Sequence, residues 1–231
     1  SKQITAMSIM ILHDRGIISI HDPVSKYLPA FADAFLLAGG QKVRPEKTMT
    51  VRHLFTMSAG FDYDRATKPI LDTIAADPHA TTLDIVNALV RSPLQFEPGT
   101  QFLYSMCHDV LAAVVEVASG MRFSDFLAEN IWKPLGLTDT NFQITQEVMD
   151  RMSAQYICYE KGKIRPYKNY RDFNLTDRYE SGGAGLYSTV NDYSLFADAL
   201  ACGGVGATGN RILKLETIDL MRTEQLRNYA M

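Results

Sequence analysis

Residues 1–16 read SKQITAMSIMILHDRG, and the reading of this stretch decides the fold. Between Lys2 and His13, the residues Ile4, Met7, Ile9, Met10, Ile11 and Leu12 cover nearly the whole circumference of a helix. A helix apolar on most sides is enclosed by other elements rather than laid on a surface. Gly16 follows as a C-terminal cap. The apolar run is interrupted by Thr5 and Ser8 and falls far short of the roughly 20 residues of a membrane span.

Outward from this helix the pattern stays mostly helical. Asp22-Pro23 opens a short helical turn that Pro29 closes. Thr50 caps VRHLFTMSAG, and Gly60 stops it. A polar stretch from Asp62 to His79 reads as loop. TTLDIVNALVRS is a capped amphipathic helix. FEPGTQFLYSM is a Pro-Gly turn and an extended lead into a helix over Cys107 to Ser119, stopped by Gly120. Ser124 caps a further helix that ends before Pro134. QYICYEKGKIRPY alternates across a Lys-Gly-Lys turn and predicts a hairpin. STVNDYSLFADALACGG and KLETIDLMRTEQL are two more helices. No repeat, low-complexity segment or linker divides the chain, so residues 1–231 form one domain.

Composition narrows the function classes. Lys and Arg number 23 against 26 Asp and Glu, a net charge of -3. This gives no electrostatic reason to expect nucleic acid or an anionic membrane. Cys107, Cys158 and Cys202 are odd in number, far apart and without a CxxC pair, which argues against a disulfide framework and structural zinc. His13, His21, His53, His79 and His108 show no metal spacing. A small-molecule site with no metal and no cofactor is the expectation.

Three stretches carry a resemblance. SKQITAM…LHDRGIISIHDPVSKYLP, FEPGTQFLYSMCHDVLAAVVEVASG and ESGGAGLYSTVNDYSLFADALACGG…NRIL, in this order, resemble successive segments of the class C-type serine β-lactamase, DD-peptidase (penicillin-binding protein) and carboxylesterase superfamily, from Ser1 to about Leu226. The resemblance implies an α+β, β-lactamase/DD-peptidase-like fold. Here it covers mainly the helical region with a short hairpin, and most of the antiparallel sheet lies outside it. It also implies a domain incomplete at both termini.

That superfamily uses an S-x-x-K motif at the start of a buried helix, with the serine as nucleophile and the lysine as base. Residues three apart share one helical face, so an amine can reach the hydroxyl. Burial favours a neutral amine able to act as a base. By resemblance, SKQ matches the second half of S-x-S-K-Q, so Lys2 is the motif lysine and Ser1 its third residue. The nucleophile then stands two residues before Ser1. A second possibility is that Ser1 itself attacks, with its own amine as base.

The family's Y-x-N motif falls on Tyr104-Ser105-Met106, which makes Tyr104 the candidate acid/base. Against this stands a core tyrosine with a satisfied hydroxyl. Met106 replaces the asparagine and offers a soft apolar surface instead of an amide, a substrate-binding position suited to an apolar acyl group. YSMCHDVL in this respect resembles the family VIII carboxylesterase branch. Cys107, His108 and Asp109 are consecutive on a helix, point three ways and cannot form a relay. In ESGGAGLYST, Gly183 is the substrate-side residue of a glycine-rich turn bordering the cleft, where the lack of a Cβ lets backbones approach. A phosphate loop is disfavoured, because no Gly-Lys-Ser/Thr follows.

These residues imply a serine hydrolase working through an acyl-enzyme, on esters or on β-lactam or D-alanyl peptide-like substrates. Residues 1–231 alone are expected to be inactive. The alternative is a non-catalytic binding or interaction module on the same scaffold. A further expectation is that the Ile4–Leu12 helix exposes a large apolar face, giving self-association unless flanking segments cover it.

Overall fold

The computed structural model describes residues 1–167 and 173–226. Helix α1, Lys2–Asp14, leads into two 3-10 turns, Val24–Lys26 and Pro29–Asp33. A small hairpin follows, β1 Leu36–Ala38 with β2 Gln41–Val43, antiparallel with Leu36 opposite Val43. Helices α2 Val51–Phe55, α3 Lys68–Ala76 and α4 Thr82–Leu89 precede α5, Cys107–Ser119. The chain continues through α6 Phe123–Leu127, a π turn Ala128–Trp132, α7 Lys133–Leu135 and α8 Gln146–Arg151. A second hairpin pairs β3 Gln155–Glu160 with β4 Lys163–Tyr167, and α9 Val190–Ala201 and α10 Leu215–Arg222 complete the described elements.

Helix α5 is the hub. It packs against α1, α2, α4 and α6, and every residue from Cys107 to Val115 is buried. Ala112 and Ala113 keep part of its surface flat enough for close neighbours. Caps set the register of the helices around it. The Thr81 side chain accepts from the Asp84 N–H while the Asp84 carboxylate reaches back to Thr81, a reciprocal capping box. Thr189 caps α9 through the Asp192 N–H.

Several sequence expectations need correction. The face of α1 is not exposed: from Ile4 to Leu12 every residue except Ala6 is buried. α5 and the π turn pack against the helix, and Asp14 ties its end to Lys214 and Thr217 at the start of α10. The premise for self-association through this face is therefore removed. A groove of about 600 Å³ remains between α1 and the C-terminal residues, lined by Ala6, Met10, Phe55, Phe102 and Leu220.

Helix α2 ends at Thr56-Met57 rather than at Gly60, because the Met57 backbone turns left-handed at φ 51° and the Ser58 N–H closes onto the His53 carbonyl. Gly60 instead admits the Phe96 carbonyl, which a Cβ would meet at 2.5 Å. The stretch from Asp62 to His79 contains α3, whose buried side is little more than Ile70. Pro29 opens the second 3-10 turn instead of closing the first.

Arg122, not Ser124, precedes the first turn of α6, and the Phe123 and Ser124 N–H groups are taken by the Glu116 and Glu180 carboxylates. The helical run then passes through Pro134. A proline early in a new turn forfeits no required hydrogen bond, and the π turn makes that new start.

Candidate active site

Lys2 is the first residue of α1, directly after Ser1 at the N-cap. The Ser1 carbonyl accepts from the Thr5 N–H at 2.9 Å, and Ser1 Oγ accepts from the Leu186 N–H at 3.0 Å. These bonds fix the first turn of α1 against the glycine-rich loop. The Lys2 side chain reaches over that loop, and its Nζ donates to the Gly183 carbonyl at 2.7 Å. The same Nζ stands 4.6 Å from the ring centroid of Tyr104 and 5.5 Å from that of Tyr63. The two rings are 5.2 Å apart at 32°. An ammonium between two aromatic faces is held by their quadrupoles as well as by its hydrogen bond.

Backbone pairing explains why two tyrosines from distant segments meet. Gln95 N–H donates to Gly60 O, Gly99 to Ser58, Leu103 to Met57 and Met106 to Asp62. The extended 95–106 segment is thereby clipped along residues 57–62, which leaves Tyr63 and Tyr104 side by side at its end. Tyr104 is 52% exposed, so its phenol is open to a ligand. Tyr63 is half-buried, and burial first, then the Asp109 charge, pushes its phenol up to about 12. It stays a neutral O–H over the whole working range.

Beneath the loop lies Asp109, in the first turn of α5 and 2% exposed. Its Oδ1 accepts from the Tyr179 hydroxyl and the Ser181 Oγ, both at 2.6 Å, and from the Gly183 N–H at 3.4 Å. Burial raises the carboxyl above its ordinary value, against the pull of those three donors. Gly182 and Gly183 allow the contact. A Cβ on Gly182 would stand 2.3 Å from the His108 carbonyl oxygen, and one on Gly183 would stand 2.6 Å from Asp109 Oδ2. The Gly182 carbonyl accepts from Thr5 Oγ1 at 2.8 Å, a second tie between loop and α1.

Of the residues named from sequence, Lys2, Tyr104 and Gly183 come together. Met106 does not join them: it is 1% exposed at the start of α5 and offers a substrate no surface. Cys107, His108 and Asp109 point to separate surroundings, as their helical spacing requires. The Cys107 thiol accepts from Ser105 Oγ, and burial pushes it up to about 12, which excludes a thiolate nucleophile at neutral pH. Burial, then the Lys2 charge, pushes the His108 imidazole down to about 3, and its Nδ1 is buried without a partner. Tyr63, Tyr179 and Ser181 are the site residues that sequence reasoning does not find: Tyr63 and Tyr179 stand in no motif, and Ser181 stands in the glycine-rich stretch beside Gly183 with nothing to mark its hydroxyl. Among the described residues no group of His, Cys, Asp and Glu is arranged to hold a metal, and no helix is long and apolar enough to cross a membrane.

The sequence profile of the family described as Beta-lactamase matches residues 1–231. The acyltransferase calJ of Penicillium decumbens is 30% identical over 243 residues, covering 98% of this chain and 55% of the relative. Among solved structures, EstCE1, a hydrolase with promiscuous acyltransferase activity, superposes with a TM-score of 0.76 at 27% identity, over 96% of this chain and 61% of its own. A LovD6 mutant of simvastatin synthase from Aspergillus terreus gives 0.75 at 25% identity, over 96% and 54%. The chain thus spans a little over half the length of these relatives.

Proposed function

The chain belongs to the beta-lactamase family, and we propose that within it residues 1–231 carry the base and the phenol of a serine acyl-enzyme site acting on esters. The observation that carries this reading is the placement of the Lys2 amine. It is hydrogen-bonded to the Gly183 carbonyl at 2.7 Å and set against Tyr104 at 4.6 Å. Two chemically competent side chains from distant segments meet 4.6 Å apart, and a buried carboxylate holds the loop whose carbonyl the amine grips.

In the S-x-x-K register the nucleophilic serine stands three residues before Lys2, one helical turn away on the same face. The Lys2 amine takes the serine proton as the serine oxygen bonds to the acyl carbon. The leaving alkoxide then departs with a proton delivered through the Tyr104 phenol, which leaves an ester on the serine. Water or an alcohol attacks that ester by the reverse route, so the same site hydrolyses or transfers. Ser1 plays a different part: its hydroxyl is committed to the Leu186 N–H, and it lies beside Lys2 rather than across a turn from it.

Ester substrates are favoured over β-lactams because calJ and EstCE1 are named for acyl transfer. The test uses the polypeptide that includes the motif serine. There Lys2→Ala and Tyr104→Phe should each lower turnover of p-nitrophenyl butyrate by about 10² or more, with nitrocefin the weaker substrate. Residues 1–231 alone should turn over neither. Hydrolysis by residues 1–231 that Ser1→Ala abolishes would place the nucleophile at Ser1 and end this reading.

A further inference from the structure

We propose that Asp109 is the positioning residue of this site. Its buried carboxylate fixes where the Gly183 carbonyl stands, and so where the Lys2 amine is held. The inference rests on Lys2 being the working amine and adds how that amine is kept in place.

Lys2 needs such a device. It sits at the first position of its helix, and a lysine side chain has four rotatable bonds and a strong preference for water. Nothing in α1 itself restrains it. Its hydrogen-bond acceptor, Gly183 O, belongs to a loop that forms no helix or strand, so the acceptor's position has to be set by something else. The carboxylate is what sets it. Asp109 is rooted in the first turn of the central helix, the most enclosed element of the fold, and one of its oxygens gathers Tyr179, Ser181 and Gly183 from five residues of loop. The Ser181 hydroxyl also accepts from the Ala184 N–H at 3.1 Å, so the turn is closed on both sides of Gly183. The two glycines bring the backbone down onto the carboxylate where any side chain would hold it off.

An apolar residue in its place would leave the Tyr179 hydroxyl, the Ser181 hydroxyl and the Gly183 N–H buried without this acceptor. Here the charge lies under the residue whose carbonyl grips the lysine. It therefore both holds the loop and faces a cation. His108 also faces this cluster from α5, and Tyr63 faces it from the 57–63 segment.

The test reads the Lys2 amine directly, in residues 1–231, by trace acylation with acetic anhydride and peptide mass spectrometry. Lys68, with 83% of its side chain exposed, serves as the internal reference. Asp109→Asn should raise Lys2 labelling relative to Lys68 roughly fivefold, the factor that one lost hydrogen bond represents. If Asp109→Asn does not fold, Tyr179→Phe and Ser181→Ala each remove one donor and leave the carboxylate. Each should raise Lys2 labelling by a smaller factor in the same direction. Unchanged labelling in folded Asp109→Asn, or in both donor variants, overturns the proposal. Its failure is separable from that of the base assignment, since Lys2→Ala with full esterase turnover would sink the latter without touching the labelling result.

Discussion

Replacing Gly182 by alanine tests how tightly the glycine-rich loop is pressed onto the central helix. A Cβ at this position would stand 2.3 Å from the His108 carbonyl oxygen and 2.8 Å from the Ala112 Cβ, where real Cβ contacts stay beyond 3.0 Å. Neither neighbour can swing aside, since one is helix backbone and the other is a methyl attached to it. The backbone at Gly182 is not left-handed, so alanine is conformationally acceptable and the whole cost is steric. The loop must lift by roughly 0.7 Å, an overpacking penalty of about 1–3 kcal/mol. The buried Thr5–Gly182 hydrogen bond at 2.8 Å stretches with it, at about 1 kcal/mol more.

A loss near 3 kcal/mol corresponds to a fall in melting temperature of roughly 6–12 °C for a chain of this size. The control is Gly162→Ala in the turn between β3 and β4. That backbone is left-handed at φ 80° with nothing within 4 Å, so only the conformational cost applies, about 1–2 kcal/mol. Calorimetry of both variants decides the matter. If Gly182→Ala melts within about 2 °C of the parent, or above Gly162→Ala, the loop is not seated on α5 as described.

Three further outcomes are expected. Thr81→Ala removes the side chain that caps α4 and should cost about 1 kcal/mol in urea denaturation, with an unchanged m-value; no change in midpoint would mean the capping box carries nothing. Phe196→Ala empties a fully buried site on α9 and should cost about 3–5 kcal/mol by the same assay; under 1 kcal/mol would mean α9 is not part of the core. His108 is held neutral in the folded chain because burial lowers its value to about 3, whereas an unfolded histidine titrates near 6.5. Its contribution is therefore complete above pH 6.5 and declines as pH falls below it, by about 2 kcal/mol at pH 5. His108→Gln should remove that part of the acid sensitivity, and equal losses for parent and variant between pH 7.5 and pH 5 would refute the assignment.

Local signals are legible in the sequence wherever one residue type settles a local geometry. Thr50, Thr81 and Thr189 mark helix starts because their hydroxyls or backbones satisfy N–H groups that no helix can satisfy itself. Gly120 marks the end of α5 through its left-handed backbone. The β3–β4 hairpin is legible from alternation and a glycine turn. Helix α3 is not, because its apolar stripe is only Ile70 and Ile74, one turn apart and set among Lys, Pro, Asp and Thr residues that read as loop, and a stripe that short announces little. The β1–β2 hairpin escapes for the same reason: three residues a side, mostly exposed, give no alternation. The enclosure of α1 shows the opposite case. Its all-round apolar pattern announces burial correctly, yet the elements that bury it cannot be read from α1 itself.

The site divides along the same line. Lys2, Tyr104 and Gly183 stand in motifs, so a resemblance can name them. Tyr63 stands in none, and what brings it to Lys2 is the backbone pairing of residues 57–62 with 95–106, a contact between segments with no periodicity in either. Asp109 is not legible as part of the site, because its partners Tyr179 and Ser181 are remote in sequence. The distinction has a physical cause. Groups that perform proton transfer must be of particular types at particular spacings, and so they leave motifs. Groups that hold them need only present one acceptor or one ring at the right point in space, which many residue types at many positions can do. The residues that hold this site therefore become visible only in three dimensions, as the Asp109–Gly183–Lys2 chain of contacts does.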